Sequence, residues 1–598
     1  MTSNTPEPNH RELLQNAVKA TITERYPQLE ETQIQSWIEL ITEEPTAVQA
    51  RAIAFQAVIT SGEQTHPVRV MNSVSILAAH LAEFIGIEDF KDFAANMGTI
   101  DLGRGVLEEE FKHIKELAVT PGTVRYTQAK VLEHIYRTDL HKKDGTGYRS
   151  PWITESTRIA FDAFLERTNL PLVTGEDDEV LQTTQTTLGA AGALEEAFGA
   201  VNKYFTNQDK QSLDRINQQL VDNPDDTTLQ SQKEQIESRL RSKTTFIHIG
   251  PSFSATDNEA QGFGMIETPQ LSFENGFVID EAYIAQVGEI IEKTGNACLI
   301  IEDTPNPLGR RLTADEWELL TGLMQKYPKL ICIMDHAYIG LAQDKDVSDI
   351  TSFRTKFVER IISAASLSKS TASPGKRIGG IIFPNRGELG RAMKEFYSVT
   401  NPSKRIEDEA YVLAQLQLLL AGDNEYDINK LIAIAIKQSG KKIDQITRLL
   451  KAEYYYEFHE ELDTDELEQK IKKLTKSLSD DIPTELSQIY CKKEDTRYVE
   501  KEVSKMFKER TTALYNMLNE TNRFPQIIRP ENTMYVFAKL PDGMNAKELY
   551  KQTGIAAVPG EAFGSGGEGW IRLSIGTLTL KDIAEMGEIL KTTFAPAE

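Results

Sequence analysis

Residues 361–384 read "IISAASLSKSTASPGKRIGGIIFP" and place two apolar runs on either side of a polar segment. The runs "IISAAS" and "IGGIIFP" have the length and composition of buried strands. The segment between them contains one lysine, Lys369, among serines, and Arg377 follows eight residues later. Ligands of open α/β sheets bind beyond the carboxyl ends of the strands, so we expect Lys369 to lie at a binding site.

Three further apolar runs precede this stretch and are separated by helical patterns. They are "TFIHIG" (245–250), "ACLIIED" (297–303) and "LICIMD" (330–335). Such an alternation predicts an α/β fold class, with a mostly parallel sheet covered by helices on both faces. After residue 530 the chain returns to short strands and glycine turns, which indicates a smaller α+β domain.

The remaining segments have helical periodicity. Two stretches look inserted: 206–243, a polar helical hairpin around an "NPDD" turn, and 423–500, a helical segment rich in Lys and Glu. The predicted division is a helical N-terminal extension (1–95), the N-terminal part of the small domain with the substrate-entrance segment (96–160), a large domain (161–410) and a C-terminal small domain (411–598).

Composition argues against several classes of protein. The net charge of -24 opposes binding to nucleic acid or to an anionic membrane surface. The three cysteines are widely spaced and suggest neither a disulfide framework nor a metal site. No run of eighteen apolar residues occurs, so we expect a cytoplasmic protein.

Polar side chains follow the predicted strands and form a coherent set. Asn306 follows "ACLIIED", Asp335 and Tyr338 stand in "DHAYIG", and Ser366 and Ser368 precede Lys369. Pyridoxal phosphate requires these groups, because an amine forms a Schiff base with its aldehyde and a carboxylate keeps its ring nitrogen protonated. Asn306 and Tyr338 could hydrogen-bond the ring hydroxyl.

A phosphate-binding element is also present. Arg377 and Ser366 supply a guanidinium and a hydroxyl, and "TLGAAGALEEAF" (187–198) supplies a helix start. The small residues there leave backbone N–H groups open to an anion. They are Gly189, Ala190 and Ala191.

With these motifs the chain resembles the fold-type I pyridoxal-phosphate enzymes of the class I/II aminotransferase family, and is most similar to their aspartate and aromatic branch. The family's Ser-x-x-Lys segment with an arginine eight residues on matches Ser366, Lys369 and Arg377. Its Asp-x-Ala-Tyr-x-Gly, Asn-Pro-x-Gly and Thr-Leu-small-small-small-Gly-Ala-Leu segments match "DHAYIG", "NPLG" and "TLGAAGAL".

The resemblance extends to further positions. It implies that Phe253 stacks on the cofactor ring, that Arg572 binds the substrate carboxylate, and that Gly105 lies at the substrate entrance. The tyrosine that a neighbouring subunit contributes to the phosphate matches Tyr148 best, with Tyr136 as a rival.

This resemblance predicts an aminotransferase that moves the amino group of an L-amino acid to a 2-oxo acid, with the cofactor held by Lys369 as an internal aldimine. Asp335 and Tyr338 join Lys369 as catalytic residues, Ser368 joins the cofactor contacts, and Asn306 joins the substrate contacts. The implied assembly is a homodimer or a higher homo-oligomer, and the implied fold has a seven-stranded sheet.

One departure concerns the substrate. The arginine with which the aspartate branch recognises a side-chain carboxylate is absent, and Phe396 stands near its place. The sequence therefore weakens the expectation of a dicarboxylic substrate.

Two alternatives stay open. The same cofactor motifs serve decarboxylases, carbon–sulfur lyases, cyclases and amino-acid oxidases. A transcription regulator with a degenerate aminotransferase domain is the second, more remote alternative. Residues 1–95 hold 6 Lys and Arg against 13 Asp and Glu, which is unfavourable for contact with a phosphate backbone.

Overall fold

The structure of the 598-residue chain is a computed structural model. It describes residues 10–43, 46–62, 67–84, 87, 90–93, 114, 117, 119, 121–144, 152–241, 244–341, 348–401, 406–478, 496–531, 533–564 and 566–593.

The large sheet contains seven strands in the order β1-β7-β6-β5-β4-β2-β3. β7 runs antiparallel to both of its neighbours, whereas the strands from β6 to β3 pair in parallel. The predicted α/β class is confirmed. The strands are β1 (Gln182–Leu188), β2 (Thr244–His248), β3 (Gly264–Glu267), β4 (Ala297–Glu302), β5 (Ile331–His336), β6 (Ile361–Ser366) and β7 (Ile378–Pro384).

Sequence patterns did not mark β1 or β3. β1 reads "QTTQTTL", which is polar, yet it is largely buried and pairs with β7 along its whole length. Several of its polar side chains make hydrogen bonds inside the protein: Gln182 Oε1 accepts from Val173 N (3.0 Å) and Arg354 Nη2 (2.8 Å), and Thr184 Oγ1 donates to Asp162 Oδ1 (2.8 Å). A buried strand built from polar side chains that hydrogen-bond inside the protein leaves no hydrophobic signal in the sequence.

Helices cover both faces of this sheet. Successive residues of β4 point to opposite sides: Cys298 and Ile300 pack in one hydrophobic cluster, and Leu299 and Ile301 pack in another. Burial on both faces explains the continuous apolar runs of the central strands. The helices of this region are α6 (Glu155–Arg167), α7 (Gly189–Asp222), α8 (Thr227–Arg241), α9 (Ser254–Gln261), α10 (Glu281–Thr294), α11 (Ala314–Lys326), α12 (Ser348–Lys356) and α13 (Gly387–Thr400).

A smaller antiparallel sheet follows near the end of the chain, in the order β10-β11-β9-β8. It shares a hydrophobic cluster with three helices, which agrees with the expected α+β arrangement. Its elements are α18 (Val499–Thr521), β8 (Gln526–Ile527), β9 (Tyr535–Lys539), α19 (Ala546–Thr553), β10 (Val558–Pro559), β11 (Trp570–Ser574) and α20 (Leu580–Thr593).

The N-terminal residues form four helices, α1 (His10–Arg25), α2 (Glu31–Glu43), α3 (Ala47–Ser61) and α4 (Pro67–Phe84). They share one hydrophobic cluster, and that cluster also includes Tyr550 and Ala556 of the smaller α+β unit. The helical extension is therefore packed directly onto the region of the small sheet.

The stretch 206–243 is a helical hairpin, but its first arm is the continuation of α7, a single helix of 34 residues. Three helices are present among the described residues of 423–500: the first two pack with α5 (Val124–Asp144), the first also packs with α14 (Ile406–Ala421), and the third packs with the first two. They are α15 (Glu425–Ser439), α16 (Ile443–Phe458) and α17 (Asp465–Ser477). Among the described helices, none is long and apolar enough to cross a membrane.

Candidate active site

A cavity of about 690 Å³ opens at the carboxyl edge of the large sheet, beside the small sheet. This volume lies within the range of small-molecule and cofactor sites. Its lining comprises Arg69, Ala190, Ala191, Leu194, Phe253, Ala255, Thr256, Glu259, Glu302, Asn306, Asp335, Ala337, Tyr338, Ser366, Ser368, Lys369, Arg377, Tyr535 and Arg572.

Lys369 lies just after β6 at the wall of this cavity. Burial lowers the pKa of its amine, the nearby guanidinium groups of Arg572 and Arg377 act in the same direction, and Tyr535 opposes them. A lowered pKa increases the fraction of neutral amine, which is the form that attacks a carbonyl and accepts a proton.

Asp335 lies on β5, the strand next to β6, and its side chain is buried. Burial raises the pKa of its carboxyl well above the usual value, and the charges of Glu302 and Asp303 raise it further. Its Oδ1 atom has no hydrogen-bond partner among the described residues. A positively charged donor facing Asp335 would both satisfy this atom and bring the pKa back down.

Behind Asp335 lies a buried network of charged groups that sequence reasoning missed. Nδ1 of His248, the last residue of β2, is 2.6 Å from Asp257 Oδ1, and its Nε2 is 3.4 Å from Glu302 Oε1. Burial alone would lower the pKa of His248, but the two carboxylates raise it to about 9. A protonated imidazole in this position offsets part of the negative charge around Asp335.

Glu302 also ties two loops of the site together. Its Oε2 accepts a hydrogen bond from the backbone N of Asn306 (2.8 Å), and its Oε1 lies 3.5 Å from the backbone N of Phe253. Glu302 is the penultimate residue of "ACLIIED". A charged residue at the end of an apolar run was the sequence signal that could have identified it as a site residue. We therefore infer that Glu302 positions the loops that carry Asn306 and Phe253.

Arg572 reaches the cavity from β11 of the small sheet, and its side chain is buried. Its Nη1 donates a hydrogen bond to Asn306 Oδ1 at 2.9 Å. The guanidinium carbon lies 4.3 Å from the ring centre of Tyr535 and 5.2 Å from that of Phe563. Aromatic contacts on a buried arginine hold its planar fork in one orientation, ready for a carboxylate.

Tyr338 meets a second tyrosine, Tyr535 on β9, which sequence reasoning did not single out. The two hydroxyl groups are 3.4 Å apart, and the rings are packed edge to face. Burial raises the pKa of Tyr338 well above its usual value, whereas for Tyr535 the charges of Lys369 and Arg572 outweigh burial and lower the pKa. The pair therefore contains one hydroxyl that keeps its proton, on Tyr338, and one that gives up its proton more readily, on Tyr535.

The start of α7 and Arg377 form a cradle at the other end of the cavity. Gly189 has φ of +74°, a conformation that favours glycine, and a Cβ atom there would stand 2.9 Å from Arg377 Nη2, so a larger residue would displace the Arg377 guanidinium. Arg377 Nη2 donates to Leu188 O at 3.1 Å. Ser366 Oγ accepts from the backbone N of Ser368 at 3.1 Å.

The lining residues of this cradle include Ala190, Ala191 and both serines. Ser368 Oγ is buried without a hydrogen-bond partner in the described part of the chain. Glu259 lies on the same side, and burial together with the charge of Glu195 raises its pKa to about 7. The cradle therefore contains an unsatisfied hydroxyl and open helix N–H groups, as an anion site requires.

Two predicted residues, Tyr148 and Gly105, lie outside the described residues. Tyr136, the rival of Tyr148, is buried on α5, and its hydroxyl donates to Gln417 of α14. Tyr136 is not among the residues that line the cavity. The other predicted residues come together there, with Gly189 directly beneath Arg377.

The family model for aminotransferase class I and II matches residues 243–422 and 464–590, slightly more than half of the chain. The chain belongs to the class I and II aminotransferase family. The interruption of the match at 423–463 falls within the predicted insertion 423–500 and covers α15 and α16. The recognition made from the motifs is confirmed.

Curated relatives of this aminotransferase-family chain align over short segments. An LL-diaminopimelate aminotransferase of Maridesulfovibrio salexigens is 36% identical over 91 residues, which is 14% of this chain and 23% of that protein. An aromatic-amino-acid aminotransferase 2 of Thermococcus litoralis is 31% identical over 81 residues, 13% of this chain and 20% of that protein. The chain thus spans only about a fifth to a quarter of the curated relatives it matches.

Among solved structures, the aspartate aminotransferase from Thermus thermophilus with maleate superposes with a TM-score of 0.51 at 15% identity. The superposition covers 89% of this chain and 98% of that chain. At this identity the likeness shows the fold alone, and it confirms the α/β arrangement of the large sheet.

The family's cofactor is pyridoxal phosphate, and the cavity fits it. Oδ1 of Asp335 has no hydrogen-bond partner among the described residues and could accept from a cationic donor. Oγ of Ser368 also has none there, and it belongs to the anion cradle at Gly189. Between them stands Lys369, a buried amine with a lowered pKa. These groups match the ring nitrogen, the phosphate and the aldehyde of the cofactor, respectively.

Proposed function

We propose that the protein is a pyridoxal-phosphate-dependent aminotransferase that transfers the amino group of an L-amino acid to a 2-oxo acid. The observation that carries this proposal is the single cavity in which Lys369 lies with the Gly189 and Arg377 cradle and with Arg572. These groups would bind a phosphate and a carboxylate, which are the two anionic ends of a complex between cofactor and amino acid.

When bound, pyridoxal phosphate supplies an aldehyde that condenses with amines and a ring that stores the electron pair left when the substrate loses its α-proton. Asp335 would bind at the ring nitrogen, with His248 and Glu302 behind it. Ser366, Ser368, Arg377, Gly189, Ala190 and Ala191 would bind the phosphate, and Phe253 would cover the ring.

Lys369 would hold the cofactor in the resting enzyme, and its neutral amine would then move the proton of the substrate's α-carbon. Arg572 would bind the substrate carboxylate through both of its Nη atoms, and Asn306 would keep the guanidinium in plane. Tyr338, whose hydroxyl donates to Tyr535 in the structure, would donate its proton toward the ring oxygen instead, with Tyr535 remaining 3.4 Å away. Catalysis would thus depend on Lys369, Asp335 and Tyr338.

The assembly and location belong to the same proposal. We infer a homodimer or a higher homo-oligomer in the cytoplasm, acting on amino acids and 2-oxo acids. The family resemblance, in which a neighbouring subunit contributes the tyrosine matched by Tyr148, supports the dimer. The net charge of -24 supports a protein that binds neither nucleic acid nor membranes. The division at residues 95, 160 and 410 remains a prediction.

A single-turnover experiment tests the reaction. The holoenzyme is mixed with a panel of L-amino acids, each at a stoichiometric amount and without a 2-oxo acid. We expect the absorbance of the cofactor to change to that of the pyridoxamine form, with one equivalent of 2-oxo acid released. Many turnovers without an acceptor, or release of CO₂ or sulfide, would instead indicate one of the other reactions of this cofactor.

A further inference from the structure

Tyr535 is a phenol in the wall of the cavity that has no chemical role in the function proposed above. It lies on β9 of the small sheet, and it lines the cavity together with Lys369. Only 2% of its surface is exposed. The polar groups that converge in a cofactor cavity usually carry its chemistry, so the surroundings of the Tyr535 hydroxyl bear directly on the reaction.

The ends of two strands place Tyr535 on the side of the cavity where Lys369 lies. β5 and β6 are neighbours in the large sheet, and His336 pairs with Ala365 in register. Tyr338 stands two residues beyond His336, and Lys369 stands four residues beyond Ala365, so both follow the same part of the sheet edge. The hydroxyl of Tyr535 lies 3.4 Å from that of Tyr338. The phenol therefore enters the cavity where the amine does.

The backbone of Tyr535 is tied to a loop of the large sheet. Tyr535 N donates a hydrogen bond to Thr533 Oγ1 (3.3 Å), and that hydroxyl donates to Gly309 O (3.1 Å). Glu531 N also donates to Gly309 O, at 2.7 Å. Gly309 ends the "NPLG" segment that begins with Asn306. These contacts fix the point from which the Tyr535 side chain reaches the cavity.

The direct contacts of Tyr535 favour a negative charge on its hydroxyl oxygen. Tyr338 donates its hydroxyl proton to that oxygen, and the two rings pack edge to face with their centres 5.8 Å apart. The guanidinium carbon of Arg572 lies 4.3 Å from the centre of the Tyr535 ring. A donated hydrogen bond stabilises an anion, and a cation on the face of the ring does the same.

The charged groups around Tyr535 agree with these contacts. Burial raises the pKa of the Tyr535 hydroxyl, and the negative charge of Glu302 adds to this effect. The charge of Lys369 is the largest opposing influence, followed by the charge of Arg572 and the hydrogen bond from Tyr338. The opposing influences outweigh burial, and the pKa of Tyr535 falls below its usual value.

Lys369 depends on Tyr535 in return. Burial lowers the pKa of the Lys369 amine, Tyr535 raises it, and Arg572 and Arg377 lower it further. Each member of the pair thus favours the charged form of the other, so the two groups titrate as one coupled pair. Without Tyr535, burial and two guanidinium groups would all act against a proton on the amine.

We propose that Tyr535 is a further catalytic residue, which shares one proton with the amine of Lys369. The pair changes between an ammonium with a phenolate and an amine with a phenol. One N–H bond breaks and one O–H bond forms, the net charge stays constant, and nothing is oxidised or reduced. The amine can thus lose or regain its proton without exchange with solvent. This inference rests on the proposed aminotransferase function, in which Lys369 takes up a proton and delivers it.

The first test needs no turnover and uses the full-length protein after removal of the cofactor. An ultraviolet titration follows tyrosine ionisation in the wild type and in Tyr535→Phe. We expect one tyrosine of the wild type to ionise below the usual pKa of about 10, and the variant to lack this step. The control is Tyr456→Phe on α16, whose side chain is exposed, and it should keep the step. Equal titrations of the wild type and Tyr535→Phe would overturn the proposal.

The second readout is the reactivity of the Lys369 amine in the same cofactor-free proteins. Each protein is treated with trace acetic anhydride over a range of pH, and peptide mapping measures acetylation at residue 369, with the exposed Lys356 as internal standard. Loss of the phenolate lowers the pKa of Lys369, so we expect half-maximal acetylation at a lower pH in Tyr535→Phe than in the wild type.

The direction of this change separates a shared proton from structural damage. A variant that merely loosened the site would expose the amine to water, and its half-maximal acetylation would move to higher pH. A midpoint that stays constant or moves to higher pH therefore overturns the proposal.

Tyr338→Phe supplies a second variant, because it removes the hydrogen-bond donor and leaves the Tyr535 hydroxyl in place. We expect the low ionisation step to persist and to move to higher pH, since the donor no longer stabilises the phenolate. Loss of the step in Tyr338→Phe, together with its retention in Tyr535→Phe, would assign the ionised group to Tyr338 and overturn the proposal.

The holoenzyme connects the pair to the reaction. The single-turnover rate constant of the cofactor's absorbance change is measured against pH with an L-amino acid that reacts. In Tyr535→Phe we expect the maximum to fall about 10- to 100-fold, the worth of a hydrogen bond to a charged group, and the acid limb to move to lower pH. A wild-type rate and pH profile would overturn the catalytic role.

The outcomes separate this inference from the function on which it rests. Failure of every amino acid to change the cofactor spectrum overturns the aminotransferase function and with it the catalytic role of Tyr535. The titration and the acetylation still decide in that case whether the pair shares a proton. A normal aminotransferase that lacks the low ionisation step overturns the shared proton alone.

Discussion

The carboxyl edge of the large sheet and the N-terminal helical extension both supply side chains to one cavity, but in different ways. At the sheet edge, Asp335, Ser366 and Lys369 are at or just beyond the ends of adjacent strands, so a local motif reports each position. In the extension, Arg69 belongs to no motif and reaches the cavity because a helical bundle packs on β10. Local sequence motifs thus report the residues of the sheet edge, whereas the packing of the helical extension decides whether one of its residues reaches the cavity.

The largest effect is expected at the sheet edge, where a substitution tests whether Lys369 is the amine that holds the cofactor. We expect Lys369→Ala to lower the single-turnover rate by about 10⁴-fold, because in the proposed reaction its amine both holds the cofactor and moves a proton. Borohydride reduction of the wild-type holoenzyme followed by peptide mapping should label a fragment containing residue 369.

The control is Lys356→Ala, an exposed lysine at the end of α12, which should keep wild-type rates and labelling. Labelling of another lysine in the wild-type protein would contradict the assignment of the sheet edge.

The next largest effect concerns Arg572, which sits on the small sheet between the two regions. We expect Arg572→Ala to lower kcat/KM by about 10²- to 10³-fold for every amino acid, because the cavity then lacks the fork for the α-carboxylate. Arg572→Lys should recover part of this loss, since it keeps the charge but not the bidentate geometry.

Steady-state kinetics with the exposed control Arg529→Ala check this result. A loss confined to acidic donors would show that Arg572 binds a carboxylate of the substrate's side chain and not its α-carboxylate.

The next prediction concerns the sheet edge and the buried charged groups around Asp335, whose contribution to folding stability should depend on pH. The pKa of His248 is raised from 6.5 to about 9 in the folded protein. Its protonated form therefore stabilises the fold fully below pH 6.5, and this contribution, on the order of 3 kcal/mol, is lost as the pH rises through about 9.

Thermal unfolding of wild type and His248→Gln between pH 6 and 9.5 measures this contribution. We expect the variant to be less stable at pH 6, with the gap between the two melting temperatures narrowing as the pH rises toward 9.5. A gap that stays constant over this range would mean that His248 is neutral in the folded protein.

The smallest effect on activity is expected for a change in the α7–α8 hairpin. None of its residues 217–232 is among the residues that line the cavity. Replacing 217–232 by a short Gly/Ser turn keeps Ile216, Ile236 and the ion pair of Arg239 with Asp209 (2.9 Å). We expect activity to change less than about twofold, since loop shortening at an exposed tip costs little.

The same kinetic and thermal measurements apply to this variant, with the wild-type protein beside it. A large loss of activity would show that the hairpin, like the N-terminal helices, contributes to the cavity in the assembled protein.

Much of the fold was predictable because its signals are local. The central strands β2, β4, β5, β6 and β7 were predicted from continuous apolar runs, which follow from burial on both faces. β1 was missed because it consists of glutamines and threonines, some of which bind partners far along the chain, such as Arg354. β3 has four residues, too few for a pattern to emerge.

The sequence by itself determined which residues could bind the cofactor, because Lys369, Asp335, Asn306, Arg377 and Arg572 stand in recognisable segments at the ends of predicted elements. The tertiary structure alone decided which side chains complete the site. Tyr535 meets Tyr338 across 197 positions of sequence, Glu302 meets His248 from the neighbouring strand, and Arg69 reaches the cavity on a helix of the N-terminal extension. The physical reason is that such contacts depend on how whole elements bury their apolar faces against one another, and local sequence patterns carry no record of that arrangement.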